Sequence, residues 1–265
     1  MSIEAAGPQE PTLHAVPVRE GGPEMTLVEH LLELRGRAIK SAVALALGLI
    51  FCAFFWETIL GWLVAPARQD FPDFRLASFS PVDRIGIIFK IILYGGLIVS
   101  SPIILYQVLA FVLPGLTPRE KKMLAPGVIG GLVFLAGGMA FAYWIILPAS
   151  LGFLLGIGDE NFNNVTGGKE YIDFVTRIVF WVGIAFEMPI VIALIARLGV
   201  VRARQLLGFW RYAIVIVALI AAFITPTPDP LNMSLVMGPL FGLYFVGILF
   251  AWIVQRPKTP ETQTA

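Results

Sequence analysis

The segment from Thr26 to Arg37 reads Thr-Leu-Val-Glu-His-Leu-Leu-Glu-Leu-Arg-Gly-Arg and lies directly before the first long apolar run, from about Ala38 to Trp56. Thr26 followed three residues later by Glu29 is a capping-box pattern, which predicts that a helix begins here. The apolar run is close to the roughly 20 residues that an α-helix needs to cross a bilayer. The segment therefore predicts a charged, amphipathic lead-in helix in front of a membrane span.

The charged side chains of this lead-in helix are unevenly placed on a helical wheel. Glu33 and Arg37 lie four residues apart on the face opposite the leucines, a favourable pair worth roughly 0.2–0.5 kcal/mol. Arg35 has no acidic neighbour at helical spacing, which leaves it available for a partner elsewhere. These residues alone leave two interpretations open: arginines that only fix the orientation in the membrane, or a helix that binds a ligand.

The composition is that of a polytopic membrane protein. Of the 265 residues, 57% are hydrophobic and only 14% are charged, whereas soluble domains carry about 25% charged residues. A net charge of +1 argues against a nucleic-acid partner, because such a partner requires a clustered basic surface. The single Cys52 lies in an apolar run, which excludes a disulfide framework and a thiolate metal site.

The chain divides into two polar tails and one membrane domain. Residues 1–24 are polar and rich in proline, so we expect a disordered tail. We expect residues 25–255 to form the membrane domain and residues 256–265 to form a short cytoplasmic tail.

The further apolar runs predict an all-α protein with six transmembrane helices. Spans two to six are expected at about 85–112, 123–147, 172–196, 212–224 and 233–254. The fifth would be roughly 20 Å long, short of a bilayer core of about 30 Å. Pro239 leaves open a shortened sixth span as well. A surface helix ending at Pro66 and a long connection from Pro148 to Tyr171 are predicted between the spans.

The basic residues predict the orientation. Lysines and arginines are more numerous in the N-terminal segment, the connections near 120 and 204, and the C-terminus than in the connections on the opposite side. The positive-inside rule then places both termini in the cytoplasm. Six spans satisfy that arrangement.

The sequence motifs do not indicate catalysis. No span contains a histidine, and HExxH, GxSxG and a complete phosphate loop are absent. We therefore expect neither enzyme activity nor a cofactor. The informative residues are carboxylates on the side of the termini, Glu33 and Glu120, because carboxylate oxygens suit the planar fork of a guanidinium group. Taken alone, Glu120 is also explained by pairing with the basic residues beside it on a solvated face.

A third carboxylate lies within a predicted span. Glu187 is expected about 15 Å from the basic end of the fourth helix, near the middle of the bilayer. A carboxylate is costly there, and such residues usually serve a function.

Several motifs together resemble the TatC family, the multispanning receptor subunit of the twin-arginine protein translocase. They cover most of residues 26–254 and comprise HLLELRGR at 30–37, SPIILYQVLAF at 101–111, the segment 114–120, FEMP at 186–189 and TPTPD at 225–229. The resemblance implies that Glu33 and Glu120 accept the consecutive arginines of a signal peptide. It also implies that Arg35, Gln107 and Phe111 help to form this cytoplasmic site.

The resemblance implies further roles outside that site. Glu187 would be the polar residue inside a concave membrane face, and Pro66 and Asp229 would belong to extracytoplasmic loops that are important for assembly. Single-span TatA-type and TatB-type partners would dock near spans five and six, at Thr225. Many members carry a polar residue four positions after this aspartate, where this chain has Met233.

The resemblance also implies the setting in which such a chain acts. It would work in an oligomeric complex of a bacterial-type cytoplasmic (inner) membrane and export folded proteins with the energy of the proton gradient. Two other functions stay open. A proton-coupled small-solute permease would use Glu187 as its ionisable site, although no internal repeat is evident. A structural scaffold would not distinguish arginine pairs from lysine pairs in a bound peptide.

Overall fold

A computed structural model describes residues 27–71, 74–112, 124–156, 166–225 and 229–255. Its helices are α1 (Leu27–Asp70), α2 (Pro81–Val112), α3 (Leu124–Phe141), α4 (Leu147–Gly156), α5 (Gly168–Ala185), α6 (Met188–Arg197), α7 (Ala203–Gly208), α8 (Trp210–Ile224) and α9 (Pro230–Val254). The predicted all-α class is confirmed. The tails at 1–24 and 256–265, and Glu120, lie outside the described residues.

Five helical stretches of the described chain are long and apolar enough to cross a membrane. They are Val28–Gln69, Pro81–Phe111, Pro126–Leu154, Gly168–Arg197 and Pro230–Val254. Many large apolar side chains on their outer faces are exposed, as expected for surfaces that contact lipid tails. A sixth apolar helix, α8, is shorter.

Helix α1 is continuous over 44 residues, about 66 Å. The sequence predicts a separate surface helix that ends at Pro66, and the family resemblance implies that Pro66 belongs to a loop. Both expectations are wrong, because Pro66 lies inside α1, which continues to Asp70. A proline cannot donate to the carbonyl four residues earlier, here that of Trp62. The hydroxyl of Tyr143 donates to the Trp62 carbonyl oxygen instead, at 2.8 Å. Because of Pro66, the Trp62 carbonyl is free to accept this bond, which ties α1 to the turn that follows α3.

Helices α1 and α2 come into backbone contact at two glycines. A Cβ atom on Gly48 would lie 2.7 Å from the carbonyl oxygen of Gly96. A Cβ atom on Gly96 would in turn lie 3.0 Å from the Cα of Leu49. One turn further along α1, buried Cys52 packs against Gly95. This close approach sets the separation of the two helices along their length.

Helix α2 begins at Pro81 and continues through Pro102. Pro102 leaves the carbonyl of Ile98 without its usual amide donor. The hydroxyl of Ser101 donates to that oxygen at 2.7 Å. The freed backbone group is therefore satisfied within the helix, and α2 extends to Val112.

The third span is longer than the sequence predicts. Its expected end at Leu147 is wrong, because α3 continues through a π-helical turn, Ala142–Ile146, into α4. Pro148 has no amide hydrogen for the carbonyl of Trp144, and π-turns occur where the regular hydrogen-bond ladder is disturbed. The span consequently covers Pro126–Leu154.

The fourth span is one stretch made of two helices. Pro189 cannot donate to the carbonyl of Ala185, and the amide of Glu187 bonds to the carbonyl of Ile184, three residues back, at 3.0 Å. Helix α5 therefore ends just before Glu187, and α6 begins just after it. The FEMP motif marks this break and places a carboxylate at it.

The last two apolar helices differ in length. Helix α8 has 15 residues, about 22 Å, so the predicted short fifth helix is confirmed. Helix α9 has 25 residues and passes Pro239 without ending; at about 37 Å it is long enough to cross the bilayer core. Arg197, at the end of α6, donates to the carbonyl of Val254 at 2.9 Å. This bond ties the end of α6 to the end of α9.

Candidate functional site

A polar contact joins α1 to α2 near the start of α1. The guanidinium of Arg37 donates to Glu33 Oε1 twice, from Nε at 2.9 Å and from Nη2 at 2.5 Å. Its third nitrogen, Nη1, lies 3.5 Å from Gln107 Oε1. The predicted i, i+4 pair is therefore confirmed. The pair is also the bridge that brings Gln107 of α2 to the acidic side chain of α1.

The carboxylate of Glu33 is used on one side only. Both donors from Arg37 meet Oε1, whereas Oε2 is shielded from solvent and has no hydrogen-bond partner among the described residues. The side chains of Arg37 and Glu33 are only 23% and 20% exposed, so the pair is largely screened from water. A shielded carboxylate oxygen with open hydrogen-bonding capacity is a ready acceptor for a cationic donor.

An aromatic contact lies beside this pair. The ring of His30 stacks on Phe111, with centroids 4.4 Å apart and planes 22° apart. His30 stands one turn before Glu33 on α1, and Phe111 stands one turn after Gln107 on α2. The structure thus brings together three of the residues predicted for the cytoplasmic site: Glu33, Gln107 and Phe111.

The two other predicted residues of that site are placed differently. Arg35 is exposed on α1. The helical wheel leaves Arg35 available for a partner elsewhere, but the arginine that contacts α2, at Gln107, is Arg37. Glu120 lies outside the described part of the chain. The bridging role of Arg37 could not be predicted from the sequence, because the helical spacing to Glu33 already assigns Arg37 a partner within α1.

Glu187 faces a cavity of about 210 Å³ that is lined by apolar side chains of α2, α3 and α5 and by Ser101 of α2. Both of its carboxylate oxygens are shielded, and neither has a hydrogen-bond partner in the described chain. A Cβ atom on Gly131 would lie 3.1 Å from Glu187 Oε2, so this glycine makes room for the carboxylate. The third span therefore contacts Glu187 closely at Gly131.

The predicted residues near α8 and α9 have structural contacts. Asp229 caps α9: its Oδ1 accepts the amide of Asn232 at 2.7 Å, and its Oδ2 accepts the side-chain amide of Asn232 at 2.8 Å. Thr225 is only 5% exposed, and its hydroxyl donates to the carbonyl of Ala221 at 2.9 Å. Thr225 therefore fixes the end of α8, and Asp229 fixes the start of α9.

An ion pair that the sequence did not reveal links α2 to α5. Lys90 Nζ contacts Asp173 Oδ1, and both side chains are about one-third exposed. The two residues are 83 positions apart, so no local spacing signals the pair. It adds a polar tie between these two spans.

Comparisons with known proteins agree on one family. The TatC model, described as Sec-independent protein translocase protein (TatC), matches residues 29–239. The TatC protein of Synechocystis is 38% identical over 225 residues, covering 85% of this chain and 87% of that protein. The chloroplastic TATC protein of Arabidopsis thaliana is 35% identical over 232 residues, covering 88% of this chain and 67% of that protein.

A solved structure agrees with this result. A crystal structure described as the twin arginine translocase receptor TatC superposes with a TM-score of 0.78 at 37% identity, covering 86% of this chain and 100% of that chain. The matched family region includes Glu33, Gln107, Phe111 and Glu187. The chain therefore belongs to the TatC family of Sec-independent protein translocase proteins.

Proposed function

We propose that this chain is the receptor and core subunit of a twin-arginine translocase and that it binds twin-arginine signal peptides at the contact between α1 and α2. The observation that carries the proposal is the half-used carboxylate of Glu33, which is shielded and linked to Gln107 through Arg37. A guanidinium can donate two parallel hydrogen bonds to such a group. Membership in this family makes the chain a transport protein rather than a catalyst, and it does not favour the permease alternative.

The proposed site opens to the cytoplasm. The excess of basic residues near the termini and near residues 120 and 204 supports this orientation, with both termini inside a bacterial-type inner membrane. Glu120 follows α2 by eight positions, so it is close enough along the chain to supply a second acceptor. Glu33 and Glu120 would then each take one arginine. Arg35 is exposed on the same helix and would contact the acidic or polar parts of the bound segment.

Replacing Glu33 with glutamine should abolish the preference for arginine. We expect crosslinking of an Arg-Arg signal peptide to fall by about thirtyfold or more, because removing one partner of a shielded charge contact costs roughly 2–5 kcal/mol. A Lys-Lys peptide and the variant Glu29→Gln, which removes an exposed acid one turn earlier, serve as controls. Equal crosslinking of Arg-Arg and Lys-Lys peptides to the unaltered chain, or full binding by Glu33→Gln, would contradict the proposal.

Glu187 would act at a later step, when an apolar helix of the signal peptide or of a partner enters the membrane. The cavity walls are apolar apart from Ser101, whose hydroxyl already donates to Ile98, so a polar group that enters would bond to the open oxygens of Glu187. We expect Glu187→Gln to reduce export by roughly tenfold and to leave first binding at Glu33 intact. Met139→Leu, in the same cavity, conserves volume and should be close to unaltered. Unchanged export and complex assembly in both Glu187→Gln and Glu187→Ala would remove this role.

Partners of the TatA and TatB type would complete an oligomeric complex around the short helix α8. Its outer face carries large exposed apolar side chains such as Leu219 and Phe223, and a helix of this length leaves part of the bilayer core uncovered. Thr225 would support docking because its bond to the carbonyl of Ala221 fixes the end of α8. Pro66 would influence assembly by freeing the Trp62 carbonyl for its bond to Tyr143. Asp229 would do so by capping the start of α9. The proton gradient would supply the energy for export.

A further inference from the structure

Arg177 is a cation inside the fourth span that no group of the described chain neutralises. Asp173, one turn earlier on α5, is the acid at helical spacing to Arg177, but it contacts Lys90 of α2 instead. Arg177 itself makes no hydrogen bond or ion pair within the part of the chain that the structure describes. Two cations and one acid therefore leave a net charge of +1 at this contact between α2 and α5.

The position of Arg177 along the span indicates its depth in the bilayer. Arg197 ends α6 on the side of Glu33, and twenty residues separate it from Arg177, about 30 Å along a helix. This length equals the thickness of the hydrocarbon core, so Arg177 lies at the opposite boundary between acyl chains and headgroups. Helical side chains lean toward the N-terminus of their helix, which is here the headgroup side. The guanidinium therefore lies at the level of the phospholipid phosphates.

The cavity in front of Glu187 begins one turn below Arg177 on the same face of α5. Phe180, Ile184 and Glu187 line it and follow Arg177 in steps of three, four and three residues. Val108 and Ile184, which also line it, are 55% and 40% exposed, so the cavity opens to the surrounding lipid. An unneutralised cation thus lies at the headgroup end of a largely apolar recess.

We propose that one phospholipid of the leaflet opposite Glu33 binds here, with its phosphate on Arg177 and one acyl chain in the cavity below it. A guanidinium can donate two parallel hydrogen bonds to phosphate oxygens. The net positive charge favours an anionic lipid such as phosphatidylglycerol over a zwitterionic one. The acyl chain gives the apolar walls of the cavity contacts that they otherwise lack. This lipid site goes beyond the proposed receptor function and does not depend on it.

The test uses the full protein in dodecyl maltoside micelles, which contain no phosphate. A subsaturating amount of phosphatidylglycerol with a diazirine in the middle of one acyl chain is added, and mass spectrometry identifies the labelled residues. Met139 lines the cavity, whereas Val133 on the same helix is 64% exposed on the outer face. We expect labelling of Met139, and Arg177→Gln should lower it about tenfold while labelling of Val133 stays unchanged.

Matched controls separate the phosphate contact from general attraction to lipid. Arg84→Gln removes an exposed arginine near the start of α2, on the same side of the membrane, and should leave labelling of Met139 unchanged. Arg177→Lys keeps the charge without the planar fork, so its labelling should be intermediate. A diacylglycerol probe with the same chains and diazirine but no phosphate should label Met139 about tenfold less than phosphatidylglycerol.

Each of three results would overturn the proposal. Equal labelling of Met139 in Arg177→Gln and in the unaltered protein, or equal labelling by the phosphate-free probe, would exclude the phosphate contact. Labelling of Val133 without Met139 would exclude the acyl chain from the cavity. Should thermal unfolding show that Arg177→Gln does not fold, the comparison of the two probes on the unaltered protein decides. Peptide binding at Glu33 is measured separately, so failure here leaves the receptor function standing.

Discussion

Gly96→Val is expected to separate α1 from α2 and to prevent the folded protein from accumulating in membranes. A Cβ atom at Gly96 would lie 3.0 Å from both the backbone nitrogen and the Cα of Leu49. These are backbone atoms, so no side-chain rotation relieves the overlap. Overpacking of a core usually costs about 1–3 kcal/mol, and displacement of a whole helix brings this case to about 3 kcal/mol or more. Membrane abundance and thermal unfolding in detergent measure the effect.

Gly86→Val is the matched control for this prediction. It introduces the same β-branched residue into the same helix, but a Cβ atom there meets nothing within 4 Å. The loss of helix propensity is therefore shared by the two variants, and the difference between them reports the contact with α1. Similar abundance and similar unfolding temperatures for the two variants would show that α1 and α2 do not need this close approach. The contact of Arg37 with Gln107 joins the same two helices and should disappear with Gly96→Val.

Gly138→Val should displace the break in the fourth span and stop export. Its Cβ atom would lie 2.6 Å from both Cβ and Cγ of Phe186. The Cβ position of Phe186 is fixed by its backbone, so the backbone itself has to move. Phe186 directly precedes Glu187, so the displacement also shifts the carboxylate in its cavity. We expect about 2–3 kcal/mol of destabilisation and export reduced by at least tenfold, measured by thermal unfolding and by transport of a reporter protein.

The adjacent residue provides the control for Gly138→Val. Gly137 is exposed, and a Cβ atom on it meets nothing within 4 Å. Gly137→Val should therefore fold and export like the unaltered chain, apart from a small cost in helix propensity. A Gly138→Val protein that unfolds and exports as Gly137→Val does would show that the third span need not contact Phe186 closely.

Much of the fold follows from local features of the sequence. The apolar runs and their lengths predicted an all-α membrane protein and a short fifth apolar helix, which is α8 in the structure. Span length and hydrophobicity are local quantities that can be taken directly from the sequence. The pairing of Glu33 with Arg37 followed from helical spacing alone. Proline was a less reliable signal: Pro66 and Pro148 were expected to end helices and did not. In α1 the hydroxyl of Tyr143 bonds to the carbonyl that Pro66 frees. After α3 the π-helical turn Ala142–Ile146 lets the helix continue past Pro148.

The candidate site depends on tertiary structure in a way that the sequence could not supply. Arg37 meets Gln107 across 70 residues, and Tyr143 meets Trp62 across 81. Such contacts require the rotation of one helix against another. In a membrane protein, faces that contact lipid and faces that contact protein are both apolar, so hydrophobic periodicity does not fix that rotation. The sequence by itself therefore determined the spans, the charged start of α1 and the carboxylates available for binding. The tertiary structure alone decided which side chains of different helices meet, as the close approach of α1 and α2 at Gly48 and Gly96 does for Arg37 and Gln107.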